Sequence, residues 1–105
     1  MKKNIKKQWL AALNSGKYKQ GQEELLYIDD DGDKRYCCLG VLCNLWAREK
    51  HKRMPDCDDE GHPLPPNTVL QWAELSFIEA TKLAEINDSN DIDQFKIVSK
   101  KIKKL

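Results

Sequence analysis

The run Tyr36-Cys37-Cys38-Leu39-Gly40-Val41-Leu42-Cys43 constrains this chain more than any other stretch. It carries no charge, holds three of the four cysteines, and lies between charged, turn-rich segments. Side chains of this kind are withdrawn from water. The run reads as the end of a strand passing into a buried helix, Cys38 to about Lys50. Leu39, Leu42, Cys43 and Trp46 share one helical face, and Val41 and Leu45 widen it, so burial on more than one side is expected. Gly40 inside a helix costs about 1 kcal/mol relative to alanine. Its presence there predicts the close approach of another backbone.

The remaining elements are expected to pack around that helix. Ile5, Trp9, Ala12 and Leu13 mark one face of a first helix over residues 4–13, closed by Asn14-Ser15-Gly16. Tyr18, Gln20 and Gly21 read as a connector. A hairpin follows, with strands at 23–28 and 34–37 around a 29–33 turn signalled by Asp31-Gly32. Residues 51–63 read as a polar loop. Val69, Trp72, Ala73 and Leu75 mark a further helix. Ser76 and Glu79 form a capping box for one that reaches about Ile86 and buries Phe77, Ala80, Leu83 and Ala84. Asn87-Asp88-Ser89-Asn90 reads as a break. Asp91 caps a last helix with Ile92, Phe95, Val98 or Ser99, Ile102 and Leu105 inward. The expected fold is α+β: a mainly helical single domain over 1–105, about five helices and one short β-hairpin around a central Cys-rich helix. A chain of 105 residues suffices for one core without disulfide or metal. The only apolar stretch near the basic start, Trp9 to Leu13, is too short for a signal or a membrane span. A soluble, cytoplasmic protein with free thiols is therefore expected.

Cofactor chemistry finds little purchase. Zinc needs two ligand pairs at short spacing, and here only Cys57 and His62 make a half-site. Any metal would fall to Cys38, Cys57 and His62, but none is expected. A nucleophilic Cys38 needs a base, and only His51 and His62 exist. His51 sits roughly 20 Å away at the far end of the same helix. His62 lies in a loop that could reach, but the apolar surroundings argue for burial rather than reactivity. Asp29, Asp31 and Asp33 suggest calcium, yet Lys34 and Gly40 occupy the positions where an EF-hand requires glycine and glutamate. Phosphate-loop and dinucleotide fingerprints are absent. No cofactor is expected, and the reading leans away from an enzyme.

Charge is segregated although the net value is only +1. Residues 1–20, 21–60, 61–95 and 96–105 carry +6, −5, −5 and +5 respectively. The lysine-rich ends either fold side by side against the acidic body or form a patch for an anionic partner.

Trp9, Ala12-Leu13, Ser15-Gly16, Tyr18, Gln20-Gly21, the YCCLGVLC run, Leu64-Pro65, Val69, Trp72, Leu75, Leu83, Asn87-Asp88, Phe95 and Ile102 together resemble a family of small, uncharacterised proteins of tailed phages and prophages. The likeness covers nearly the whole chain, and its specific part is the CCLGVLC segment. The family pattern often has glycine where this chain has Glu74 and Asn90. The resemblance implies phage origin and action inside the host cell, and brings no catalytic residues. The leading reading is thus a non-enzymatic accessory protein for host takeover or counter-defence. It would bind a host protein through an acidic strip of Asp29, Asp30, Asp31, Asp33, Asp56, Asp58, Asp59 and Glu60. An alternative is a small-molecule or nucleotide-binding module, with Gln20, Gly21, Tyr36, Asn87 and Asp88 around a pocket. A further alternative is nucleic-acid binding through the lysine-rich termini. A membrane partner is not expected.

Overall fold

A computed structural model describes residues 1–54, 64–89 and 95–105. The fold is α+β and mainly helical. In chain order the elements are α1 (Lys3–Leu13), β1 (Lys19–Gln20), β2 (Leu26–Ile28), β3 (Lys34–Tyr36), α2 (Cys38–Lys50), α3 (Asn67–Ala73), α4 (Phe77–Ser89) and α5 (Lys96–Lys103).

The uncharged run does organise the molecule. Seven residues of α2 are buried, Cys38 to Cys43 without a break, and the helix packs against α1, α3, α4 and β3. Gly40 is the reason a strand lead-in can lie on it. A Cβ at that position would stand 1.8 Å from the Leu25 carbonyl oxygen, far inside van der Waals contact. Leu25 is itself fully buried, and its carbonyl accepts the Cys37 N–H at 3.3 Å. Trp9, wholly buried in α1, donates its indole N–H to the Cys38 carbonyl at 2.8 Å. This ties α1 to the first turn of α2.

The sheet has three strands in the order β1-β3-β2. The hairpin pairs Leu26 with Tyr36 and Ile28 with Lys34 around the expected turn, and Gly32 takes a left-handed φ of +83°. The first hairpin strand is shorter than residues 23–28 because Glu23 has φ 71°. Lys19–Gln20, expected as connector, instead pairs in parallel with Arg35 and Tyr36. Two residues are too few to show a strand periodicity.

The capping box of α4 forms as expected. Ser76 N–H donates to Glu79 Oε1 and Glu79 N–H to Ser76 Oγ, both at 3.0 Å. These bonds, the Ser76 backbone N–H foremost, hold the Glu79 carboxyl below its usual range. Two expectations for α4 are corrected. Phe77 is 62% exposed: it opens the helix, and helical side chains lean towards the N-terminus, which carries its ring past the body. The helix also does not break at Asn87 but continues to Ser89. Around α5, Val98 and Ser99 are both buried. Asn90, Asp91 and Ile92 lie outside the described residues.

α1 and α5 pack on each other. Lys6 Nζ, near the start of α1, donates to the carbonyls of Lys103 and Leu105 at 3.2 and 2.7 Å. Leu13 and Lys96, at the opposite ends of their helices, line a common cleft. The two lysine-rich helices therefore run antiparallel, side by side. None of the helices among the described residues is long and apolar enough to cross a membrane.

Candidate functional site

Polar residues meet at the heart of the molecule, around Asn87. Its Oδ1 accepts from the Cys38 N–H at 3.2 Å and Gln20 Nε2 at 3.3 Å. Its Nδ2 donates to the Gly21 carbonyl at 2.9 Å and to Asp88 Oδ1 at 3.1 Å. Gln20 Oε1 in turn accepts the Phe95 N–H at 3.1 Å, and Asp88 Oδ1 accepts the Glu23 N–H at 2.9 Å. Gln20, Gly21, Asn87 and Asp88, predicted to border a pocket, do converge. They converge on one another, joining β1, the start of α2, the end of α4 and the entry to α5. Tyr36 reaches the same place through its carbonyl, which accepts the Gly21 N–H at 2.7 Å. A carboxamide with two donors and an acceptor can use all of them here, and buried polar groups that are matched cost little. This is a clasp.

The thiols have been taken inside. Cys37, Cys38 and Cys43 are buried, and none is in a disulfide. Cys37 Sγ accepts from the Gly40 N–H as a cap of α2, and Cys38 Sγ lies 3.8 Å from the Leu83 carbonyl. Burial first, then the neighbouring Cys37, pushes the Cys38 thiol well above its ordinary pKa. That disfavours the thiolate needed by a nucleophile or a metal ligand. Cys57 and His62 lie outside the described residues.

On the outside, the acidic and basic regions differ. The three carboxylates of Asp29, Asp31 and Asp33 approach within 4.8 Å. Asp29 is absorbed by the turn: Oδ1 accepts the N–H groups of Asp31 and Asp33, and Oδ2 accepts Arg35 Nε at 2.8 Å. The Asp33 backbone bond and then Arg35 hold its carboxyl below the usual range. Asp33 pairs with Lys19 at 2.6 Å. Asp30 and Asp31 remain exposed. Asp56, Asp58, Asp59 and Glu60, the other half of the expected acidic strip, lie outside the described residues. The lysines of α1 and α5 enter no ion pair with a carboxylate among the described residues. Lys96, Lys100 and Lys103 recur at i, i+4 and i+7, which places them on one edge of α5. Lys3 and Lys7 lie exposed on neighbouring α1. We call this the lysine seam.

At the end of the seam where α1 finishes and α5 begins there is a cleft of about 490 Å³, lined by residues 13–16, Tyr18, Lys19, Gln20, Arg35 and Lys96. Of these only Gln20 was singled out from the sequence as a ligand contact. The others come from three separate segments, residues 13–19, Arg35 and Lys96, and no spacing along the chain announces them.

The chain belongs to a protein family described as a domain of unknown function (DUF8296), whose model matches residues 1–104. No curated protein and no solved structure matches it.

Proposed function

We propose that this is a non-enzymatic binding protein that takes a polyanionic partner, nucleic acid first, on the lysine seam of α1 and α5. The observation that carries the reading is the unequal commitment of the two charged regions. Asp29 and Asp33 are already bonded to Arg35 and Lys19, whereas the seam lysines have no carboxylate partner among the described residues. Two packed helices carry them in a chain whose net charge is only +1, and the distribution, rather than the total, supplies the attraction. The phage resemblance implies that such an activity would act in the host cytoplasm. The buried thiols and the internally matched Asn87 network support contact chemistry over covalent catalysis.

The experiment is fluorescence anisotropy of labelled single- and double-stranded DNA over a salt series. Affinity is expected to fall steeply with salt, each phosphate contact adding about −0.7 to −0.9 to the log–log slope. The double variant Lys100→Glu, Lys103→Glu should weaken binding more than tenfold and flatten that slope. Absence of salt-dependent binding would overturn the reading.

A second reading is a host-takeover or counter-defence inhibitor that docks a host protein on the hairpin tip. Asp30 and Asp31 favour it, being exposed and without an ion pair among the described residues. Stoichiometric capture of a host protein that is lost in Asp30→Lys, Asp31→Lys would select it.

A further inference from the structure

We propose that the cleft between the α1–β1 turn, β3 and the start of α5 binds a phosphate monoester of mononucleotide size. Three cations from three different elements line it, Lys19, Arg35 and Lys96, and among the described residues no carboxylate does. Bonds to the protein hold Arg35 and Lys19 without exhausting them. Arg35 has five N–H donors; Nε goes to Asp29 at 2.8 Å and Nη1 to the Gln20 carbonyl at 3.1 Å. The remaining donors belong to a guanidinium already fixed in place, so little side-chain freedom is lost on binding. Lys19 gives one of its three protons to Asp33, and Lys96 enters no ion pair among the described residues. A wall with surplus cationic donors matches a group that only accepts, and a phosphate oxygen set is such a group.

The rest of the cleft has room for more than phosphate. Its volume of about 490 Å³ falls within the range of small-molecule sites, roughly 300–1,000 Å³. Tyr18 forms part of the wall and does not wander. Its ring stands edge-on to Tyr36 with centroids 4.9 Å apart, and its hydroxyl donates to Asn44 Oδ1 at 2.5 Å. A fixed aromatic ring beside a cationic group suits a flat heteroaromatic base joined to a phosphate. The site goes beyond the polyanion reading and does not depend on it, since seam and cleft share only Lys96.

The test titrates the full chain, by calorimetry and amide chemical shifts, with AMP, GMP, CMP, UMP, adenosine and inorganic phosphate. At least one mononucleotide should bind saturably, more tightly than inorganic phosphate, and move the amides of residues 14–20 and 35. Adenosine should not bind. Lys19→Gln and Lys96→Gln, both at exposed side chains, should each weaken it roughly tenfold. Lys101→Gln, away from the cleft, should leave it unchanged. Unchanged denaturation midpoints check that the variants fold. The proposal is overturned if no mononucleotide binds, if none binds tighter than phosphate, if adenosine binds as well as AMP, or if Lys101→Gln weakens binding as much as Lys96→Gln. Loss of DNA binding in the Lys100, Lys103 variant with mononucleotide binding intact would separate the two sites.

Discussion

Gln20 stands between two regions that treat polar groups in opposite ways. Its side chain belongs to the clasp, bonded to Asn87 and the Phe95 N–H. Its carbonyl accepts from Arg35, a residue of the cleft wall, and steadies it. Within the clasp, the donors and acceptors of Asn87 all find protein partners, and the result is a joint between four segments. One residue away, cationic donors outnumber their acceptors, and the result is a surface with unmet bonding capacity. A matched polar cluster is spent on folding, while an unmatched one is available to a ligand. The same contrast separates the neutralised base of the acidic hairpin from the unneutralised lysine seam.

The sharpest way to break this comparison is at the joint. Gly40→Ala forces a methyl against the Leu25 carbonyl and should cost about 3–5 kcal/mol, read as a collapse of the urea midpoint. An unchanged midpoint would mean that α2 is not held where the structure has it. Asn87→Ala comes next. It strips the Cys38 N–H, Gln20 Nε2 and the Gly21 carbonyl of their partner, at about 2–3 kcal/mol. A loss below about 0.5 kcal/mol would deny that the cluster is structural and reopen it as a ligand site. The smallest effect has the opposite sign. Glu74 ends α3 in the left-handed region at φ 54°, where a side chain costs about 1 kcal/mol. Glu74→Gly should therefore raise stability by about 1 kcal/mol in thermal or urea unfolding.

That last position shows how far the sequence could be read. The departure from glycine at Glu74 was visible in the chain, but not that the residue caps α3. Phe77 shows the limit from the other side. Its spacing to Ala80 fits the buried stripe, yet a helical stripe buries only where a neighbour covers it: Ala80 is fully buried, while Phe77 at the start of α4 is left 62% exposed. The extension of α4 through Asn87 was hidden for a related reason. Asn-Asp-Ser favours turns locally, and the bonds that keep Asn87 helical come from residues 49 to 67 positions away. Gly40 was the best signal, because a helical glycine in an apolar run has few uses other than backbone contact.

By itself the sequence determined that α2 would be buried, that Asp31-Gly32 would turn a hairpin and that Ser76 and Glu79 would start a helix. Each rests on periodicity or on hydrogen bonds spanning a few residues. Only the tertiary structure decided that β1 joins the sheet, that Asn87 and Gln20 close on each other, and that Lys19, Arg35 and Lys96 share a cleft. Those arrangements arise from residues distant in the chain, and distance in sequence carries no record of who will be neighbours in space.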